Sequence, residues 1–243
     1  MIRKVLKIIK YYPWSNEYSP EILQGKDVLE VIEVDLREIT KEASLSSLLY
    51  DASKRFMDIF ISLAILIFAV PIMIVLSILI RLSSPGPAIY CQKRLTTGGR
   101  VFTIFKFRTM VSDAETSSGA VWASKNDPRI TSLGMFMRKT RLDELPQLIN
   151  VLIGDMSLIG PRPERPEFAR KLQSRYPGFK KRYQVPAGLS GLAQVSAEYA
   201  DSIDSYKLKL IYDLIYVKNR SLLLDTIIAL KTIYVMVSGR GAR

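Results

Sequence analysis

Between Asp58 and Arg81 the chain runs for 22 residues, Ile59 to Ile80, without a charge. A helix of that length is long enough to span the hydrocarbon core of a bilayer. Pro71 falls in its middle and leaves apolar pieces of twelve and nine residues. Each is too short to cross alone, because proline interrupts the helical hydrogen bonds. Cations flank both ends, with Lys54 and Arg55 before and Arg81, Lys93 and Arg94 after. Positive residues favour the cytoplasmic side, so the pattern predicts a helix, a break at Pro71, and a second helix that returns to the leaflet face it entered. A kinked transmembrane helix and a buried helix of a soluble core remain the alternatives.

Ser83-Ser-Pro-Gly-Pro87 is turn composition. After it, Ala88–Gln92 and Val101–Phe107 alternate like strands around Gly98-Gly99, which predicts a β-hairpin. Leu145, Leu148, Ile149 and Leu152 recur at helical spacing before Gly154, a good helix stop. Ser205–Val217 and Leu222–Val237 also read as helices, the second with Leu223, Ile227, Leu230, Tyr234 and Val237 along one face. That stripe fits either core packing or a helix lying in a membrane plane. Upstream, Met1–Lys10 spreads four cations among apolar residues, unlike a secretory signal, and Ile32–Arg37 alternates like a half-buried strand. The expected architecture is α+β and mostly helical. Residues 1–52 form an N-terminal extension of unknown role, 53–82 the re-entrant membrane helix, and 83–243 a small cytoplasmic catalytic domain with a short β-hairpin and interfacial amphipathic helices.

Composition narrows the chemistry. The chain of 243 residues carries a net charge of +12, and Met1–Glu42 holds 7 basic and 8 acidic residues, so the excess lies downstream. That region of the molecule suits anionic partners: lipid headgroups, phosphorylated substrates or nucleic acid. One cysteine, Cys91, excludes an internal disulfide and a cysteine-rich zinc site. With no histidine at all, Ser-His-Asp and Cys-His mechanisms and histidine-based metal sites are excluded. Catalysis must run on carboxylates, Lys, Arg, Tyr, or a hard metal bound through oxygen.

The segment Arg138-Lys-Thr-Arg-Leu-Asp-Glu-Leu-Pro-Gln147 meets that requirement. Pro146 is tolerated only in the first turn of a helix, so the helix should begin near Asp143, with Asp143 as N-cap. Asp143 and Glu144 then sit at the positive end of the helix dipole. Taken alone, such a pair is ordinary capping. Its surroundings add Arg138 and Arg141, with Lys106 and Arg108 at a strand end and Arg162 between two prolines. Cations keep a carboxylate ionised, usable as nucleophile or metal ligand, and they receive phosphate groups.

These residues fall in six blocks that resemble the bacterial sugar transferases, the monotopic phosphoglycosyl transferases. The blocks are Lys54-Arg-Phe-Met-Asp58, Ser84-Pro-Gly-Pro87, Lys106-Phe-Arg-Thr-Met110, Leu142-Asp-Glu-Leu-Pro-Gln147, Gly154-Asp-Met-Ser-Leu-Ile-Gly-Pro-Arg-Pro-Glu164 and Gly188-Leu-Ser-Gly-Leu-Ala-Gln-Val195. The resemblance covers about Ser53 to Gly241. It implies a re-entrant helix anchoring a catalytic domain at the cytoplasmic face of the bacterial inner membrane, with Mg²⁺ as cofactor. It implies a UDP-sugar and undecaprenyl phosphate as substrates, no nucleic acid, and other copies of the chain or downstream glycosyltransferases as candidate partners. The transferred group is a sugar 1-phosphate, and the product enters assembly of a surface glycan such as exopolysaccharide, capsule or O-antigen. By resemblance Asp143 is the nucleophile and a magnesium ligand, Glu144 its catalytic partner, and Lys106, Arg108, Arg138 and Arg162 the phosphate-binding cations.

Two departures stand out. Family members often carry Ser before the helix-breaking proline, where this chain has Val70, so a hydroxyl that could satisfy the broken backbone is missing. Ala187 is extra relative to the usual Pro-Gly pair, and Leu192 stands where Trp is common, in a region bearing on sugar preference. The competing reading is a peripheral membrane protein that holds anionic lipid or nucleic acid without turnover, and such a protein would tolerate loss of Asp143.

Overall fold

The computed structural model describes residues 45–112, 114, 127–196 and 206–238, so the strand-like Ile32–Arg37 and the basic Met1–Lys10 lie outside the described residues. The chain begins there with helix α1, Leu45–Ser83, 39 residues long. Strands β1 (Ile89–Leu95) and β2 (Val101–Phe107) pair antiparallel, Ile89 opposite Phe107 and Leu95 opposite Val101. Helix α2 (Ser132–Thr140) leads through a 3₁₀ turn, Leu142–Glu144, into α3 (Gln147–Ile153) and β3 (Met156–Ile159). Helix α4 (Pro166–Arg175), a 3₁₀ stretch (Pro177–Gln184), β4 (Ala187–Ser190) and the short α5 (Leu192–Ser196) follow. Helices α6 (Tyr206–Asn219) and α7 (Leu222–Val237) complete the described chain. The described residues are therefore mostly helical with two small sheets, the second a parallel pair of β3 and β4.

Helix α1 runs through Pro71 without a break in helical backbone. Proline removes one N–H and crowds one carbonyl, and here the turns on either side persist. The reason lies in packing. Lys54, Asp58, Ser62, Ala69, Leu76 and Ile80 are all buried, at steps of four or seven that define one helical face. Lys54 pairs with Asp225 of α7 at 3.0 Å, and Tyr50 and Tyr216 donate to the same carboxylate. Arg55 donates to the carbonyls of Val151 and Leu152, filling the open end of α3, and Asp58 accepts from the N–H of Leu158 in β3. At the other end Leu76 and Ile80 pack with Ala88, Phe107 and Met137. Both ends of α1 thus grip one body, while Phe60, Ile67, Phe68, Ile74 and Leu82 stand exposed on the outer side. Among the described residues, it is the one helix long and apolar enough to cross a membrane.

The stripe on α7 points outward. Leu223, Leu230, Tyr234 and Val237 are exposed, and the helix packs instead through Leu224, Asp225 and Ile228 against Ile159 and Tyr216. Met135 and Phe136 of α2 and Ile153 of α3 are also exposed. Inside, β2 packs through Phe102 and Ile104 on Val151 and Met156, which brings the β-hairpin onto α3 and β3. Phe168, Leu172, Phe179, Tyr206 and Leu210 form a second core beneath α4 and α6.

Candidate active site

Three local devices bring the predicted residues together. Asn150, fully buried on α3, accepts from the N–H of Phe105 and donates to the carbonyl of Thr103. Its amide completes the free edge of β2, so Lys106 is carried over the turn that holds the carboxylates. The second device is Arg141. It ends α2 in the left-handed conformation, φ 60° and ψ 13°, and is the non-glycine residue with positive φ among those described. A left-handed turn at a side chain bearing a Cβ costs about 1–2 kcal/mol, and such strain gathers at functional sites. It reverses the chain into Leu142–Glu144. Asp143 consequently lies in a 3₁₀ turn, and the expected N-cap role falls to Pro146, with α3 starting at Gln147.

The third device holds Arg162. Strands β3 and β4 approach so closely that a Cβ on Gly188 would strike the N and O of Gly160 and lie 2.5 Å from the carbonyl oxygen of Ser190. The N–H of Gly160 donates to Ser190 O (2.8 Å) and the N–H of Gly188 to Pro161 O (2.9 Å). Arg94 donates to Pro163 O at 3.0 Å, and Leu95 N–H to Glu164 O at 3.0 Å. Pinned on both sides, the segment Pro161–Glu164 aims Arg162 at Glu144.

Glu144 is held from two directions. Arg162 contacts both of its oxygens, and Lys106 Nζ lies 3.4 Å from Oε1. Burial alone would push this carboxyl up, but Arg162 and Lys106 overcome it and hold Glu144 well below the usual carboxylate range. Asp143 is different. It is 8% exposed, and no described residue donates a hydrogen bond to its carboxylate. Burial, then the neighbouring Glu144 charge, raise its pKa against the pull of Lys106, Arg162 and Arg138. The expectation that cations keep both carboxylates ionised therefore holds for Glu144 and reverses in direction for Asp143. Burial pushes Lys106 down to about 8 against the attraction of Glu144, and the like charge of Arg162 pushes the same way.

Arg138 reaches the site from α2, with its Nε on Thr109 Oγ1 at 2.9 Å. Gly134 permits this, since a Cβ there would collide with the backbone of Thr109. Arg108 is not brought to the carboxylates. Its guanidinium is buried against the carbonyls of Ile80, Ser84 and Pro85 and the hydroxyls of Ser84 and Ser112, where it ties the end of α1 to β2. Gly86, at φ +113°, leaves the room for it. Sequence reasoning missed Arg94, Asn150 and Arg182 as members of this construction. Nothing in their local pattern marks them, because each acts on backbone far away in the chain. Among the described residues no group of three or more His, Cys, Asp or Glu gathers. Magnesium asks less, one or two carboxylates completed by phosphate oxygens and water, and Asp143, which accepts from no described donor, fits that demand.

The sequence pattern of the bacterial sugar transferase family matches residues 49–239. A Bacillus subtilis protein, provisionally named an undecaprenyl-phosphate N-acetylgalactosaminyl 1-phosphate transferase, is 59% identical over 133 residues, 55% of this chain and 74% of its own length. The UDP-N-acetylgalactosamine-undecaprenyl-phosphate N-acetylgalactosaminephosphotransferase of Aeromonas hydrophila is 44% identical over 82% of this chain, which spans 47% of that longer protein. An exopolysaccharide production protein of Rhizobium leguminosarum is 36% identical over 74% of this chain and 92% of its own length.

Proposed function

We propose that this chain, which belongs to the bacterial sugar transferase family, is a phosphoglycosyl transferase that moves a sugar 1-phosphate from a UDP-sugar to undecaprenyl phosphate. One observation carries the reading: two adjacent, largely buried carboxylates, Glu144 locked by cations and Asp143 accepting from no described donor, with Lys106, Arg138 and Arg162 around them. The surplus of Lys106, Arg138 and Arg162 suits a diphosphate. Glu144, kept ionised, serves as the fixed charge that orients Lys106 and Arg162. Asp143 attacks the sugar-bearing phosphorus through a carboxylate oxygen. The bond from that phosphorus to the bridging oxygen breaks, and UMP departs with the electron pair. A phosphate oxygen of undecaprenyl phosphate then attacks the phosphosugar on Asp143, restoring the carboxylate and giving the polyprenyl-diphosphate sugar. Asp143 would hold magnesium, which would supply charge neutralisation at the diphosphate.

The apolar outer face of α1 and the exposed residues of α2 and α7 would lie in the bilayer of the inner membrane, with the site at its cytoplasmic face. A span through the membrane separates the ends of a helix by the bilayer, whereas both ends of α1 bind one body here, which supports a re-entrant path. Conversion of a panel of radiolabelled UDP-sugars, with magnesium and undecaprenyl phosphate, into an organic-extractable labelled lipid tests the activity. UDP-N-acetylgalactosamine is the first donor to try, since two of the relatives are named for that sugar. Absence of labelled lipid from every donor, or full activity after Asp143→Ala, rejects the reading.

A further inference from the structure

Beneath the Arg162 loop lies a buried ion pair that the mechanism above does not use. Arg182, on the 3₁₀ stretch before β4, donates through Nε and Nη2 to Asp213 of α6 at 3.0 and 2.7 Å, and each side chain is 1% exposed. A buried pair of this kind is weak evidence for stability, because desolvation offsets most of its attraction. Its placement is more informative. Arg182 Nη2 also donates to the backbone carbonyl of Arg162 at 2.7 Å. That carbonyl precedes Pro163 and follows Pro161, so neither neighbour offers an N–H and the backbone is restricted to extended conformations. With Phe179 and Tyr183 on its guanidinium, at 5.2 and 5.9 Å from the ring centres, Arg182 has one orientation available. Next in the chain, Glu164 is held by Tyr206 and Lys209 of the same helix α6.

We infer that Arg182, set by Asp213, is a positioning residue that fixes the Arg162 backbone so that the Arg162 guanidinium meets Glu144. This rests on the proposed function for its kinetic consequence, and on the hydrogen bonds alone for its structural one. Three groups on α6, Tyr206, Lys209 and Asp213, thereby govern a side chain none of them touches.

The test uses the full chain in detergent or nanodiscs. Replacing the pair together, Arg182→Met with Asp213→Leu, removes both buried charges and avoids leaving one unpaired. Arg182→Lys is the second variant, keeping a cation against Asp213 should the apolar pair fail to fold. Expected is an unchanged melting curve with turnover down about tenfold, the loss of roughly one charge-assisted contact. In an Arg162→Ala background the same changes should have no further effect, since nothing is left to position. An equal loss in both backgrounds, or no loss in a folded variant, overturns the inference. Nuclear magnetic resonance of nitrogen-labelled arginine separates this from the activity itself. The Arg162 guanidinium, identified by its loss in Arg162→Ala, should show hindered rotation in the parent and averaged signals in the variants. If the parent transfers no phosphosugar the proposed function falls, and unchanged Arg162 signals in the variants would still overturn the positioning role.

Discussion

Arg162→Ala removes the group that grips both oxygens of Glu144 and leaves Lys106, at 3.4 Å, as its remaining ion-pair partner among the described residues. Charge-assisted contacts of this kind contribute about 1.5–3 kcal/mol, which corresponds to roughly tenfold to a hundredfold in turnover. A second effect has a definite sign. Lys106 must be protonated to act, and burial with the like charge of Arg162 holds its folded-state pKa down at about 8. Activity should therefore decline as pH rises through that value. Taking Arg162 away removes one of the charges that discourage protonation, so the alkaline limb should move to higher pH even as the maximum rate falls. Initial rates of labelled lipid formation from pH 6 to 10 would read both quantities, with membrane association confirmed by flotation. Near-normal turnover would remove Arg162 from the site, and an alkaline limb that stays in place or moves down would show that Lys106 does not set it.

Asp143→Asn should abolish exchange of labelled UMP into UDP-sugar without acceptor, because the amide is a poor nucleophile; an absence of exchange in the parent enzyme favours direct transfer in a ternary complex. Gly188→Ala places a Cβ against backbone of Gly160 and Ser190 and should cost about 1–3 kcal/mol in thermal unfolding, with a loss of activity from displacement of Arg162. Cysteines introduced at Ser53 and Ser83, with Cys91 replaced, should both escape an impermeant thiol reagent in intact cells, and labelling of one alone would mean a true span.

Much of the fold could be read locally. The hairpin of β1 and β2 and the helices α3, α6 and α7 follow from alternation and helical spacing, and the uncharged run from Ile59 to Ile80 announced α1. Direction was harder. On α7 an apolar stripe fits protein or lipid equally well, and only Leu224 and Ile228, on the other side, meet the core. The same limit explains Arg108, which composition grouped with the site. Arg108 follows a strand whose end meets the close of α1, and five oxygens there claim its guanidinium. Pairing of β3 with β4 joins segments about thirty residues apart through glycines whose spacing carries no periodic signal. Asp143 shows that composition gives the sign of the local charge and not the extent of burial, which raised its pKa.

A long apolar helix such as α1 is commonly cut away to obtain a water-soluble fragment for crystals or assays. Here the knife would pass through the foundation. Without Leu76 and Ile80, the side chains of Phe107 and Met137 lose a wall of their pocket, and without Arg55 the carbonyls of Val151 and Leu152 at the end of α3 lose their donors. Arg108 would be left with no helix to hold at Ile80. Solubility is better sought on the outer face, by exchanging exposed residues such as Phe60, Ile67 and Phe68 for polar ones while the inner stripe is kept. The long apolar helix of this protein is a structural member of the body that carries the two carboxylates, and the two cannot be produced as separate goods.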